Sequence, residues 1–188
     1  MAIKITRIIF LRHADTKKDP NTNATLWELS DQGEKQAEEV SKNPIMDTVD
    51  TIYVSEELKT ALTVQPIAQK LSKNIHGLSF FNEVKRGNKF LNKEDFEAEK
   101  KHQLANLSYC AFNGESGLEA LARFKKGVSE VVGQNEGKTI LIVTHGTILN
   151  IYFADLLGAH STLLERWEKT SFCAYGIEEN GKILKDII

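Results

Sequence analysis

The sequence contains few of the residues that build cross-linked or metal-stapled proteins. It has two cysteines and three prolines in 188 residues. The cysteines, Cys110 and Cys173, are far apart and show neither a metal-ligand nor a redox spacing. A disulfide framework and a cysteine-based metal site are therefore excluded, and we expect two reduced thiols in a cytoplasmic protein.

A long hydrophobic run and an excess of one charge are also missing. The formal net charge is −2, which predicts no nucleic-acid partner and no membrane-surface partner. The apolar run within residues 1–13 is too short for a membrane span or a signal sequence, and it has no small-residue cleavage site. Repeats, low-complexity tracts and linkers are absent as well, so we expect residues 1–188 to form a single domain.

Three short apolar runs are present instead. They cover residues 7–11, 50–54 and 139–144. Continuous apolar runs of this length, without alternation, are typical of strands buried on both faces of a parallel sheet.

Helical patterns lie between and after these apolar runs. The expected helices cover residues 31–42, 56–71, 116–132 and 148–157. Pro66 lies inside the second of them, so it must kink that helix or begin a new segment.

The C-terminal residues show the pattern of a β-hairpin. Residues 172–178 and 182–187 flank Asn180-Gly181, which is a strong signal for a type I′ turn. Together with the alternating strands and helices, this predicts an α/β three-layer sandwich. We expect a mostly parallel sheet with helices on both faces and a C-terminal β-hairpin.

Residues 84–113 differ from the rest of the chain because they are polar, charged and weakly periodic. We interpret them as a lid or insertion in the domain, with a helix at about residues 94–107.

Two of the predicted strands end at a histidine. His13 follows the first strand and His145 follows the third. The carboxyl ends of parallel strands line the ligand crevice of an open sheet, so both imidazoles should face one crevice. Arg12 adds a cation able to bind phosphate oxygens, and Gly146 begins a helix whose amides favour an anion. This combination predicts a phosphoryl-transfer site with His13 as the nucleophile.

Two other uses of paired histidines fit the sequence less well. A metal site would need a recognisable ligand spacing, and no H-x-x-x-H or histidine–carboxylate pattern is present. Serine-hydrolase chemistry would need a nucleophile elbow, and no G-x-S-x-G is found.

The sequence resembles the histidine phosphatase superfamily, which includes cofactor-dependent phosphoglycerate mutase. The matching elements run in family order over most of the chain. In the first half, residues 11–16 resemble the family motif R-H-G/A-E-T, residues 29–37 resemble L-T/S-x-x-G-x-x-Q-A, and residues 55–63 resemble S-P-x-x-R-A-x-x-T. In the second half, Glu83 and Gly87 resemble E-x-x-x-G, Gly114-Glu115-Ser116 followed by Arg123 resembles G-E-S and a later arginine, and residues 143–146 resemble V-S/T-H-G.

The resemblance implies a metal-independent phosphatase that needs no cofactor. A small phosphorylated substrate, or a phosphoprotein, would transfer its phosphoryl group to His13, and water would then hydrolyse the phosphohistidine. The implied catalytic residues are Arg12, His13, Glu83 and His145, with Glu83 as the proton donor. The implied phosphate-binding residues are Arg12, Thr16, Lys59 and Gly146. Glu115 is the second choice for the proton donor.

The chain departs from the family pattern at residues that bear on the substrate. Lys59 replaces the usual arginine, and a point charge binds phosphate less specifically than a planar fork. Glu56 replaces the proline and would place a carboxylate near the anion site if it pointed inward. Two alternatives therefore stay open: a phosphoglycerate mutase-type phosphomutase, and a member with little activity that binds a phosphorylated ligand or a protein.

Overall fold

The computed structural model describes residues 5–85, 91–110 and 114–188. Six strands form one sheet: β1 (Arg7–Arg12), β2 (Thr51–Val54), β3 (Ile75–Gly77), β4 (Thr139–Thr144), β5 (Tyr175–Glu179) and β6 (Lys182–Lys185). Their order across the sheet is β3-β2-β4-β1-β5-β6. The first four strands are parallel, and β5 and β6 add an antiparallel edge.

The helices pack on both faces of this sheet. They are α1 (Asp31–Ser41), α2 (Leu58–Leu71), α3 (Lys93–Ala105), α4 (Gly117–Gln134), α5 (Gly146–Leu157) and α6 (Leu163–Lys169). Successive side chains of a strand point to opposite faces. On β1, Phe10 accordingly packs with α4 and α5 in one buried cluster, whereas Leu11 packs with α1 and α2 in the other. The predicted three-layer α/β architecture is confirmed.

The C-terminal hairpin is also confirmed. Strands β5 and β6 pair antiparallel, with Glu179 opposite Lys182. The two residues between them, Asn180 and Gly181, have φ angles of 49° and 81°. A type I′ turn needs positive φ at both central positions, which asparagine and glycine tolerate best.

The structure excludes one of the two alternatives at Pro66 and adds a strand that the sequence did not predict. Helix α2 is continuous through Pro66, so a second segment does not begin there. The buried residues Val64 and Ile67 flank Pro66, and their packing offsets the hydrogen bond that proline removes. Strand β3 was not expected, because its three residues are exposed and too few to show a pattern.

Residues 84–113 are the segment interpreted as a lid or insertion. Helix α3 (Lys93–Ala105) lies in it, close to the helix predicted at about residues 94–107. Residues 86–90 and 111–113 of that segment, including Gly87, lie outside the described residues. Across the described ranges, no helix combines the length and the apolar character that crossing a bilayer requires.

Candidate active site

The two histidines lie together at one end of the sheet. Strands β1 and β4 are parallel neighbours, with Arg12 paired to Thr144. His13 and His145 are the next residues on each chain segment, and the His13 N–H donates to the Thr144 carbonyl at 2.9 Å. Their ring centroids are 5.2 Å apart. The predicted meeting of the two imidazoles is confirmed, while their catalytic roles stay predictions.

The His13 ring is held in its neutral form with one ring nitrogen bound to the backbone. Its Nδ1 lies 2.7 Å from the Ala14 carbonyl oxygen, and a carbonyl only accepts, so we assign the proton to Nδ1 and the free lone pair to Nε2. Burial lowers the pKa of His13 well below its ordinary value, and the charges of His145, Lys59 and Arg12 lower it further. The imidazole is therefore neutral at neutral pH, with one proton on Nδ1.

Arg12 is fixed beside the histidine pair by three neighbours. Its guanidinium lies 4.3 Å from the centre of the Phe172 ring and donates to the Thr170 carbonyl. A side chain on Gly146 would meet it, because a Cβ there would lie 2.9 Å from Arg12 Nε. Glycine at this position therefore makes room for the guanidinium. Within the described residues, the buried Nε–H has no hydrogen-bond partner, which a substrate oxyanion would provide.

The start of helix α5 is occupied by a carboxylate of the protein itself. Glu83 Oε2 accepts from the Thr147 N–H and Oε1 accepts from the Ile148 N–H, each at 3.0 Å. A helix start favours an anion, as predicted, but here that anion is Glu83. A contribution of Gly146 to phosphate binding stays a prediction.

These contacts keep Glu83 ionised. Burial favours the neutral acid, but the charges of Lys100 and His145 and the backbone N–H groups of Thr147 and Val84 outweigh it, lowering the pKa of Glu83 to about 2. Lys100 belongs to α3 and is 3% exposed. The sequence motifs did not indicate it, since it lies in the weakly periodic segment.

Lys59 is buried at the first turn of α2 and forms an ion pair that sequence reasoning missed. Its Nζ lies 2.6 Å from Glu57 Oε2, and both residues are less than one-tenth exposed. Glu56, which was considered as an inward carboxylate, is exposed. The sequence shows two successive glutamates, Glu56 and Glu57, after the second strand. It does not show which of the two points inward.

Ser55 connects this segment to the second histidine. Its Oγ lies 2.8 Å from His145 Nε2 and 2.9 Å from the Thr60 hydroxyl. Burial lowers the pKa of His145, although the carboxylates of Glu57 and Glu83 act in the opposite direction. The serine of the S-P-x-x-R element therefore orients the His145 ring.

Thr16 lies in the loop that follows His13, three residues further along the chain. It forms an isolated antiparallel bridge with Leu29 and is 9% exposed. Among the contacts of the described residues, none joins Thr16 to the two histidines. Its expected role in phosphate binding therefore gains no support from the geometry and stays a prediction.

The L-S-x-x-G-x-x-Q-A element fixes the same loop to helix α1. The Asp15 N–H donates to Gln36 Oε1 at 2.9 Å, and the Ser30 hydroxyl donates to Asp15 Oδ2 at 2.6 Å. Ser30 also caps α1 by accepting from the Gly33 N–H at 3.0 Å. The element thus positions the backbone that carries His13.

Gly33 is where this helix comes closest to the loop. A Cβ on Gly33 would lie 2.0 Å from the Asp15 carbonyl oxygen, which is backbone and cannot rotate away. We expect Gly33→Ala to lower the free energy of unfolding by about 1–3 kcal/mol, measured by urea denaturation. The matched control is Gly133→Ala in α4, where a Cβ meets no described atom within 4 Å. That variant should be unchanged or more stable by about 0.5–1 kcal/mol, and equal losses in both variants would contradict the assignment.

Glu115, the second candidate proton donor, is bound to an arginine. Its two oxygens accept from Arg123 Nε and Nη2 at 2.8 and 2.7 Å. Arg123 Nη1 also donates to the carbonyl oxygens of Ser79, Phe80 and Asn82. The G-E-S element therefore supports the segment that leads to Glu83.

In the described ranges, no three histidine, cysteine or carboxylate side chains are grouped to hold a metal ion.

One protein family matches nearly the whole chain. The profile of the histidine phosphatase superfamily (branch 1) matches residues 8–187. No curated protein sequence is significantly similar to the chain.

Solved structures of phosphatases share the fold. The mycobacterial glucosyl-3-phosphoglycerate phosphatase has a TM-score of 0.78 at 15% identity, covering 97% of this chain and 98% of that one. Phosphoserine phosphatase from Entamoeba histolytica was solved as a histidine-to-alanine mutant in complex with phosphoserine, with a TM-score of 0.77, 24% identity and coverage of 96% and 94%. The same protein in complex with 3-phosphoglyceric acid has a TM-score of 0.68, 25% identity and coverage of 92% and 89%.

Proposed function

Because the chain belongs to the histidine phosphatase superfamily, we propose that it is a phosphatase that hydrolyses a phosphomonoester through a phosphohistidine on His13. The observation that carries this proposal is the pair of imidazoles, His13 and His145, whose ring centroids are 5.2 Å apart and on which the charges of Arg12 and Lys59 act. Phosphoryl transfer asks a protein mainly for positioning and for cations around the oxygens, and this site supplies both.

In the first step, His13 Nε2 forms a bond to phosphorus while the ester P–O bond breaks. The assigned proton on Nδ1 leaves the Nε2 lone pair free for attack. Arg12 and Lys59 provide positive charge for the phosphoryl oxygens, and His145 provides a hydrogen-bond donor. The leaving oxygen takes up a proton that the substrate monoanion brings into the site, and we assign its transfer to the ionised Glu83 carboxylate.

In the second step, water attacks phosphorus, the N–P bond breaks and inorganic phosphate leaves. The Glu83 carboxylate, ionised in this structure with a pKa of about 2, can accept the proton of the attacking water. The chain's own residues supply every proton acceptor and cation that the two steps need.

We propose a small phosphorylated substrate, because the ligands in the compared phosphatases are phosphoserine and 3-phosphoglyceric acid. These names apply to those proteins, and they define the first compounds to assay here. A phosphoprotein partner has no supporting observation. The phosphomutase alternative keeps the same phosphohistidine and differs only in the acceptor of the second step.

An assay of phosphate release tests this proposal. We expect phosphoserine, 3-phosphoglycerate or a generic aryl phosphate to be hydrolysed at a rate that a metal chelator does not lower. Interconversion of phosphoglycerates after bisphosphoglycerate priming, without net phosphate release, would indicate a mutase instead. Binding of inorganic phosphate without turnover of any compound would indicate a non-catalytic member and contradict the proposal.

A further inference from the structure

One carboxylate in the site connects three groups that the proposed chemistry uses. Glu57 Oε2 lies 2.6 Å from Lys59 Nζ. Glu57 Oε1 lies 3.3 Å from His145 Nε2 and accepts the Glu83 backbone N–H at 3.1 Å. Glu57 is 7% exposed and His145 is 1% exposed, so solvent screens these interactions little.

The contact between Glu57 and Lys59 bears on how a lysine can bind phosphate at a position where the family usually has arginine. Lysine carries a compact charge on a flexible four-carbon stem, whereas arginine presents a rigid planar fork. A lysine that binds a phosphoryl group therefore needs another group to hold its ammonium in place. Burying an ammonium is also costly unless it is paired, and at 6% exposure Lys59 is paired with Glu57.

The pairing leaves the ammonium able to bind an oxyanion. An ammonium has three N–H donors, and within the described residues Glu57 accepts one of them, which leaves two. The Lys59 charge acts on the histidine pair, because it lowers the pKa of both His13 and His145. Because one carboxylate contacts both Lys59 Nζ and His145 Nε2, the ammonium lies near the histidine pair.

We propose that Glu57 is a positioning residue: its carboxylate holds the Lys59 ammonium beside the histidine pair, so that lysine binds the phosphoryl oxygens where the resemblance expects an arginine. Glu57 itself touches no reacting atom. The kinetic consequences of this assignment rest on the proposed phosphatase function, but its effect on oxyanion binding does not.

The test compares Glu57→Gln with Glu56→Gln. Glutamine keeps the shape of Glu57 and removes the charge that fixes Lys59, whereas Glu56 is the adjacent, exposed glutamate. We expect Glu57→Gln to lower kcat/KM for phosphate release by about tenfold to a hundredfold, as for misplacement of a binding group. Its affinity for orthovanadate should fall by about tenfold. Glu56→Gln should change neither quantity.

A double-mutant cycle with Lys59→Met shows whether Glu57 acts through Lys59. In the Lys59→Met background, Glu57→Gln should change orthovanadate affinity less than about twofold, because there is no ammonium left to position. Glu57→Asp, which keeps the charge, should retain more affinity than Glu57→Gln. Circular dichroism and thermal denaturation identify any variant that does not fold, and Glu57→Asp then carries the test.

The pKa of His145 is a third readout, and a purely structural role of Glu57 would not change it. The Glu57 charge raises the pKa of His145 against the effect of burial. In Glu57→Gln the pKa of His145 should therefore fall, whereas in Glu56→Gln it should not, as followed by NMR titration of the imidazole resonances.

The outcomes separate this inference from the proposed function. A wild-type protein that binds orthovanadate but hydrolyses nothing would overturn the proposed function, and the binding and NMR arms would still test Glu57. Three results would overturn the role of Glu57: no orthovanadate binding by the wild-type protein, an unchanged affinity in Glu57→Gln, or an equal loss from Glu57→Gln with and without Lys59.

Discussion

Replacement of His13 by alanine should lower kcat/KM for phosphomonoester hydrolysis by about 10⁴-fold or more, the size of effect seen when a covalent nucleophile is removed. No other group of the described site combines a neutral lone pair with this position. The second imidazole, His145, is 1% exposed and its Nε2 is engaged by Ser55 and Glu57. Nε2 of His145 is therefore not free to act as a second nucleophile.

Rapid quenching gives the same test without a mutation. Wild-type protein mixed with a substrate labelled in its phosphoryl group should yield a protein-bound, acid-labile phosphate on His13. The matched control is His160→Ala, since His160 is a half-exposed histidine on the turn after α5. It should leave the rate and the labelling unchanged. Label on a residue other than His13, or an active His13→Ala protein, would contradict the assignment.

The meeting of the histidines was predictable because two local signals determine it. An unbroken apolar run predicts a buried parallel strand, and the residue just after such a strand lies at the ligand edge of the sheet. His13 and His145 satisfy this rule on neighbouring strands. The Asn180-Gly181 turn was predictable for a similar reason, since both residues tolerate the positive φ angles that it needs.

The residues that surround the histidines were less predictable, because their orientation depends on tertiary contacts. Glu56 and Glu57 are adjacent, and near a helix start one residue step rotates a side chain by about 100°. Only the packing of α2 against the sheet makes Glu57 the buried one. The occupant of the α5 start, Glu83, lies more than sixty residues from Thr147 in sequence, so no local pattern connects them.

Thr16 is a residue whose implied role the structure leaves as a prediction. A hydroxyl three residues after the nucleophile fits the R-H-G/A-E-T signature, and the resemblance implied that it binds phosphate. In the structure the loop turns toward α1, where Asp15 binds Ser30 and Gln36, and Thr16 pairs with Leu29. The motif therefore located the loop, while the role of the Thr16 hydroxyl depends on contacts that a sequence does not encode locally.

Replacement of Glu83 by glutamine should slow hydrolysis of an alkyl phosphate by about 10²–10⁴-fold, the usual contribution of general acid–base catalysis. An alkoxide is a poor leaving group and needs a proton as the P–O bond breaks. An aryl oxide is a better leaving group and needs it less, so the aryl phosphate should lose much less rate. The measurement is kcat/KM for one alkyl and one aryl phosphate with the wild-type and variant proteins.

The source of this proton also predicts how the rate depends on pH. Glu83 has a pKa of about 2 and is ionised in the free protein. The substrate monoanion can bring the proton that this carboxylate then passes to the leaving oxygen, since the second pKa of a phosphomonoester is about 6. For the alkyl phosphate, kcat/KM should therefore fall as pH rises above about 6. The opposite loss, from protonation of His13, should lie well below the ordinary pKa of histidine, because burial lowers the pKa of His13.

Glu115→Gln is the matched control for this prediction, since it makes the same change at the second candidate proton donor. Glu115 is bound by two nitrogens of Arg123, so its loss should weaken the support of the Glu83 segment and slow both substrates to the same extent. A loss that depends on the leaving group therefore identifies the proton donor. If that dependence is found in Glu115→Gln and not in Glu83→Gln, the donor is Glu115, and the Glu83 carboxylate serves to cap α5.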